Sequence, residues 1–222
     1  MRTWTLTELP EPHSLHKQLR ILAALDVILC EEEWLRVHRY EPNWRPGVDL
    51  GILENGAGDD LFILFAEEGC ILKGFDHESS LSPHARDDGE VWPGMYDEVP
   101  KALFALLEDG SDTWELEDVT FCIWQNRNEP EWLAGDWAEL DTLDDPREAD
   151  GGANFLLGYL HKSAESYINW AQGYYADDMK LPVQIVEQIF SGAKVDQEMV
   201  AALSPGRNVH DALNELEKLG LA

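Results

Sequence analysis

Residues 48–75 read VDLGILENGAGDDLFILFAEEGCILKGF, and the fold class turns on this stretch. Three short apolar runs are separated by clusters of Gly and Asp, and the spacers are of hairpin length, so the pattern predicts an antiparallel meander. The middle run, Leu61 to Phe65, is apolar at every position. Such a run suits a central strand buried on both faces. Gly56-Ala57-Gly58 leads into two aspartates instead of a lysine and a helix. Carboxylates there would repel phosphate, which makes this a hairpin turn and not a nucleotide loop.

Downstream, Gly69–Pro100 carries the chain from a strand through a polar loop into Trp92-Pro93-Gly94 and toward a helix. Asp97 is the expected cap of that helix, with Pro100 in its first turn and Leu103, Phe104, Leu106 and Leu107 as its buried stripe up to Asp109-Gly110. Val119–Asn126 (VTFCIWQN) predicts a fourth strand. The segment from Glu129 to Asp150 holds nine acids and one Arg. It is expected to be an exposed connection with a short edge strand at Trp132–Ala134.

Upstream, Leu15, Leu19, Leu22, Leu29, Trp34 and Val37 recur at helical spacing. They predict one helix from Ser14 to about Tyr40, or two broken near Cys30 and Glu31, with Ser14 as N-cap and Pro42 bounding the far end. Asn43–Gly47 reads as a turn. After Gly151-Gly152 the pattern is helical, with segments near Phe155–His161, Ala164–Tyr175, after Pro182, Asp196–Leu203 and Asn208–Leu219. The fold expected is α+β in a single domain: an N-terminal helix, a mostly antiparallel sheet of four or five strands, and C-terminal helices on one face. A subdivision would fall near residue 150. The sheet core should contain Ile52, Phe62, Leu64, Ile71, Phe75, Phe121 and Ile123.

The formal charge of −28 comes from 44 acids against 16 Lys and Arg. A field of that sign repels nucleic acid and anionic membranes and favours cations or a basic protein partner. Solubility alone, or a salty cytoplasm, explains the same acidity. The N-terminal residues carry no signal-peptide pattern, and Ile21–Cys30 is too short and too interrupted by Asp26 to span a bilayer. Cys30, Cys70 and Cys122 are widely spaced among apolar neighbours and read as reduced core thiols in a cytosol.

Two constellations bear on chemistry. Asp76, His77 and Glu78, with His84, Asp87, Asp88 and Glu90, crowd carboxylates and imidazoles into one loop. Such groups suit a divalent metal, though no established metal spacing is present. If the segment continued as a strand, Asp76 and Glu78 would face away from His77, so joint ligation requires a bend. The same residues allow a catalytic arrangement in which His77 is the base, oriented by Asp76 or Glu78, with Ser79, Ser80 or Ser82 as nucleophile. No G-x-S-x-G elbow supports it. A plain alternative makes Asp76 and the serines caps of a turn. The aromatic residues Trp124, Trp132, Trp137, Tyr159, Trp170, Tyr174 and Tyr175 are mostly expected in the core. Any left exposed beside acids would mark a partner surface, and Trp92, Trp132 and Trp137 are the candidates for it.

The pattern G-F-D-H-E-S-x-x-S-P at Gly74–Pro83, with V-W-P-G at Val91–Gly94 and T-F-C-I-W at Thr120–Trp124, resembles a family of bacterial cytosolic proteins with no known activity. The resemblance covers about Leu61–Trp137 and implies a bacterial, soluble, single-polypeptide protein. A looser likeness, in class only, is to the immunity proteins of bacterial toxin systems. Two functions follow as expectations. One is a non-catalytic, immunity-like protein that holds a basic partner on an acidic surface bearing aromatics. The other is a metal-dependent or His/carboxylate hydrolase on the Asp76–Glu90 loop.

Overall fold

The computed structural model describes residues 1–138, 140, 143, 145–175 and 180–222. The chain runs β1 (Arg2–Thr3), α1 (Pro12–Leu29), β2 (His38–Arg45), β3 (Val48–Glu54), β4 (Asp60–Phe65), β5 (Gly69–Phe75), α2 (Lys101–Glu108), β6 (Phe121–Asn126) and β7 (Leu133–Ala134). Five helices follow: α3 (Ala153–Leu157), α4 (Ala164–Tyr175), α5 (Val183–Phe190), α6 (Gln197–Leu203) and α7 (Val209–Lys218).

The α+β class and the meander hold, and β3, β4 and β5 pair antiparallel in sequence order. The sheet has seven strands in the order β1-β7-β6-β5-β4-β3-β2, two or more beyond the expected four or five. One addition is β2, which falls where a helix end and a turn were expected. Its sequence, HRYEPNWR, is polar because it is an edge strand. Pro42 sits inside it at the irregularity between Glu41 and Arg45, a position that needs no ladder N–H. The other addition is β1, only two residues long, which pairs outside β7 and so makes the Leu133–Ala134 strand internal.

Helix α1 starts at Pro12, with Glu11 in the cap position in place of Ser14, and stops at Leu29, where Cys30 turns extended. Every residue from Ile21 to Ile28 is buried. A helix buried all round must be covered on two sides. One side lies on the sheet: Gly51 of β3 leaves room for Leu19, since a Cβ there would sit 2.6 Å from Leu19 Cδ1. The other is covered by α5, α6 and α7. Helices α5, α6 and α7 therefore lie on α1, while α4 also meets β2 directly, with the Trp170 ring 5.0 Å from that of His38. The opposite sheet face is closed by the segment after β5, where Trp114 packs tilted against Phe62 with ring centroids 4.7 Å apart. Helix α2 begins at Lys101 with Pro100 at the cap, so Asp97 does not cap it. The seven expected core residues are all buried. All three cysteines are free and buried.

One polar knot crosses these layers. Asp26, fully buried in α1, accepts from the His38 backbone N–H at 2.8 Å and from Tyr167 Oη at 2.7 Å, and its Oδ2 lies 3.0 Å from His38 Nδ1. His38 Nε2 is 2.9 Å from the Tyr159 carbonyl, which can only accept, so Nε2 carries a hydrogen. Asp26 thereby joins α1, β2 and α4. Among the described residues no helix is long and apolar enough to cross a membrane.

Candidate functional site

At the end of the sheet where β3 turns into β4, the hairpin Asn55–Asp59 is built by one side chain. Asn55 Oδ1 accepts from the Ala57 N–H at 2.8 Å and Asn55 Nδ2 donates to Asp59 Oδ2 at 2.6 Å. Gly56 and Gly58 supply the positive φ angles, 75° and 104°, that the turn requires. The hairpin aims Asp59 at the loop leaving β5, where Asp59 Oδ1 accepts from the His77 backbone N–H at 2.9 Å and faces His77 Nδ1 at 2.7 Å. Asp76 is held in turn. Its N–H donates to Thr120 Oγ1 at 3.0 Å and its Oδ1 accepts from the Glu78 N–H at 3.0 Å. A third loop closes over it at Gly152, whose φ of 84° and missing Cβ let the backbone approach; a Cβ there would lie 2.2 Å from Asp76 Oδ2.

These three loops surround a cavity of about 730 Å³. Its walls carry Asp59, Asp76, Glu78, Asp145, Glu148 and Asp150 with His77, and beside them Phe155, Tyr159 and Tyr174. A smaller hollow of about 280 Å³ adjoins it and adds Trp34, Glu54 and Asp60. One ligand atom from each of Asp59, Asp76 and His77 lies within 4.8 Å of the others, a spacing a divalent metal could bridge.

Burial by itself would raise the Asp59 carboxyl, but the bonds from Asn55 and His77 outweigh it and hold the group below the usual carboxylate range. The bond to Asp59 raises the His77 imidazole. Asp76 is raised instead, because burial dominates and the Glu78 N–H only partly offsets it. Burial also pushes Asp60 up to about 6, against the pull of Lys73. The cleft thus holds one firmly ionised acid paired with an imidazole, next to acids that are more readily protonated.

The loop residues singled out by sequence divide. Asp76 and His77 converge because β5 ends at Phe75 and a turn follows, with the Ser79 N–H bonded to the Asp76 carbonyl at 3.1 Å; that turn is the bend joint ligation requires. Glu78 lies on the rim, highly exposed, with Oε1 4.0 Å from His77 Nε2. His84 is elsewhere, 2.8 Å from Asp118 and edge-on to Phe75. The serines have turn duties: Ser79 Oγ accepts from Leu81 N–H and Ser82 Oγ from His84 N–H, while Ser80 bonds Glu148. Among the described residues no serine meets His77, so the Ser–His arrangement is not formed.

The partner-facing tryptophans are corrected. Trp92, Trp132 and Trp137 are all buried. The Nε1 of Trp92 donates to the Ala138 carbonyl and that of Trp132 to the Pro10 carbonyl, while Trp137 packs on Trp4 under the Arg2 guanidinium. The acidic connection that holds two of them is folded onto the protein where it is described; its residues 139, 141, 142 and 144 lie outside the described set. The exposed aromatics are Trp34 at 77%, Phe155 at 48% and Tyr174 at 39%. All three border the acidic cavities. Sequence reasoning missed Trp34, Phe155 and Asp59. No protein-family model, curated protein or solved structure matches this chain.

Proposed function

We propose that the chain is a non-catalytic binding protein, immunity-like in mode, that holds a basic protein partner by taking Lys or Arg side chains into the acidic cleft. The observation that carries this reading is the coincidence of exposed aromatics with carboxylates: Trp34, Phe155 and Tyr174 flank the cavity lined by six acids. A cation over an aromatic face and beside carboxylates gains from both, and a guanidinium can engage a carboxylate through two hydrogen bonds. The buried thiols suit a reducing cytosol.

The test is a calorimetric titration with a synthetic Arg- and Lys-containing peptide and its Gln-substituted counterpart. The basic peptide is expected to bind, to weaken about tenfold in Glu148→Gln combined with Tyr174→Ala, and to weaken with added salt. Equal binding of the two peptides, or none by either, defeats the proposal.

A second reading, a metal-dependent or His/carboxylate hydrolase, is favoured by one observation, the convergence of Asp59, Asp76 and His77. In it Asp59, Asp76 and His77 would hold the metal, and the metal would supply an activated water. Titration with Mn²⁺ and Zn²⁺ decides it: stoichiometric binding lost in His77→Ala supports the metal, and no binding removes it.

A further inference from the structure

At the far end of β4 from the acidic cleft, Phe65 borders a second cavity, of about 570 Å³. Two histidines of α1, His13 and His16, line it. They stand three residues apart in a helix, so they share a face, with Cβ atoms about 5–6 Å apart. Helical side chains also lean toward the N-terminus, which carries the His16 ring back over the turn that bears His13.

His16 is the positioned member of the pair. Its ring stands edge-on to Phe65 with centroids 4.7 Å apart, and its Nε2 faces two oxygens, Asp49 Oδ2 at 2.8 Å and Tyr40 Oη at 2.6 Å. Burial raises the Tyr40 hydroxyl, which keeps its proton and donates it to Asp49 Oδ2 at 2.7 Å. Burial also raises Asp49, but the Asn43 N–H, His16 and Tyr40 outweigh it and hold the carboxyl below its ordinary range. With the Tyr40 hydrogen spent on an ionised Asp49, both oxygens accept from the ring, and Nε2 carries the hydrogen. The lone pair of the neutral imidazole is then on Nδ1. That nitrogen makes no hydrogen bond among the described residues and is not sealed from solvent; 25% of the His16 side chain is exposed. A carboxylate behind the ring and a free lone pair in front is the way metal-ligating imidazoles are held.

The other walls do not oppose a cation. Arg127 is paired with Glu67 at 2.6 Å, and Glu11 and Glu129 leave the rim negative. Among the described residues, three ligating groups come within 4.8 Å of one another only in the acidic cleft. Two imidazoles therefore set the coordination here and leave the other positions to water. Imidazole donors suit copper, nickel and zinc, whereas magnesium and calcium prefer oxygen.

We propose that His13 and the Nδ1 atom of His16 form a transition-metal site that takes Cu²⁺ most tightly and Ni²⁺ or Zn²⁺ less so. Titration of the full, untagged chain carrying His77→Ala tests it, because that substitution removes the imidazole of the cleft and separates this site from the metal-dependent reading above. One Cu²⁺ is expected to bind, with the nitrogen hyperfine splitting of two imidazoles in its electron paramagnetic resonance spectrum. Zn²⁺ is expected to bind more weakly and Mg²⁺ not at all. Adding His13→Ala, a change at an exposed position, is expected to weaken Cu²⁺ at least tenfold. No Cu²⁺ binding in His77→Ala, Mg²⁺ binding as tight as Cu²⁺, or unchanged Cu²⁺ affinity after His13→Ala overturns the proposal.

Discussion

Asp59 and Asp76 show how two carboxylates one cavity apart are driven in opposite directions. Asp59 is buried among donors, so its anion is favoured; Asp76 is buried with one backbone donor and a neighbouring negative charge, so its anion is disfavoured. His77 depends on the first of them. Its pKa is raised, so the Asp59 bond contributes fully below the imidazole's ordinary pKa of about 6.5 and is lost as pH rises through the folded value. The Asp59 pKa is lowered, so the same bond is also lost as pH falls through the folded carboxyl value. In Asp59→Asn the His77 ring resonances should therefore titrate lower than in the native chain, near about 6.5. An unchanged midpoint would show that Glu78 or Asp76 sets the His77 charge instead. Sequence singled out His77 because acids stand on either side of it, yet its partner is a hairpin residue 18 positions earlier. The Gly56–Asp60 cluster was legible as a turn, and the turn is what carries the partner. Nothing local to either segment encodes their meeting, which the β4–β5 pairing of Asp60 with Phe75 brings about.

At the scale of elements, the meander and the C-terminal helices were legible because each has a local signal. Asp196 and Asn208, where the last two helical segments were expected to begin, are the caps of α6 and α7, with side-chain bonds to first-turn amides. Strand β2 was not legible, because its stability comes from pairing with β3 and from buried polar side chains that no hydrophobic period reports. His38 and Tyr40 point to α1, where a strand-like reading would look for apolar residues. Asp26 was likewise read only as an interruption of an apolar run, although it ties α1 to β2 and α4. Truncating Asp26→Ala leaves the His38 ring nitrogen and the Tyr167 hydroxyl buried without their acceptor. A cost of about 1–3 kcal/mol for each buried group left without its partner follows, to be read from urea unfolding with unchanged slope. A cost under ~1 kcal/mol would mean that the site relaxes around the loss, contrary to a network spanning three elements.

At the scale of the molecule, one quantity acts on both folding and binding. The charge of −28 is distributed over a chain in which some ion pairs are exposed on both sides, such as Arg127–Glu67 and Lys162–Glu8. Exposed pairs contribute little individually, about 0–1 kcal/mol each. The unbalanced acids repel one another in the folded state, and salt shortens the reach of that repulsion from about 30 Å at 0.01 M to about 3 Å at 1 M. Raising NaCl across that range should therefore raise the thermal midpoint, by about 2–4 °C for each kcal/mol of repulsion relieved in a chain of this size. The same screening weakens capture of a basic peptide in the acidic cleft, because there the field is attractive. Stability and affinity should thus respond to salt with opposite signs. A midpoint that falls with salt would mean that the ion pairs outweigh the net charge. An affinity that does not change with salt would detach binding from the carboxylates and leave the aromatics Trp34, Phe155 and Tyr174 to account for it alone.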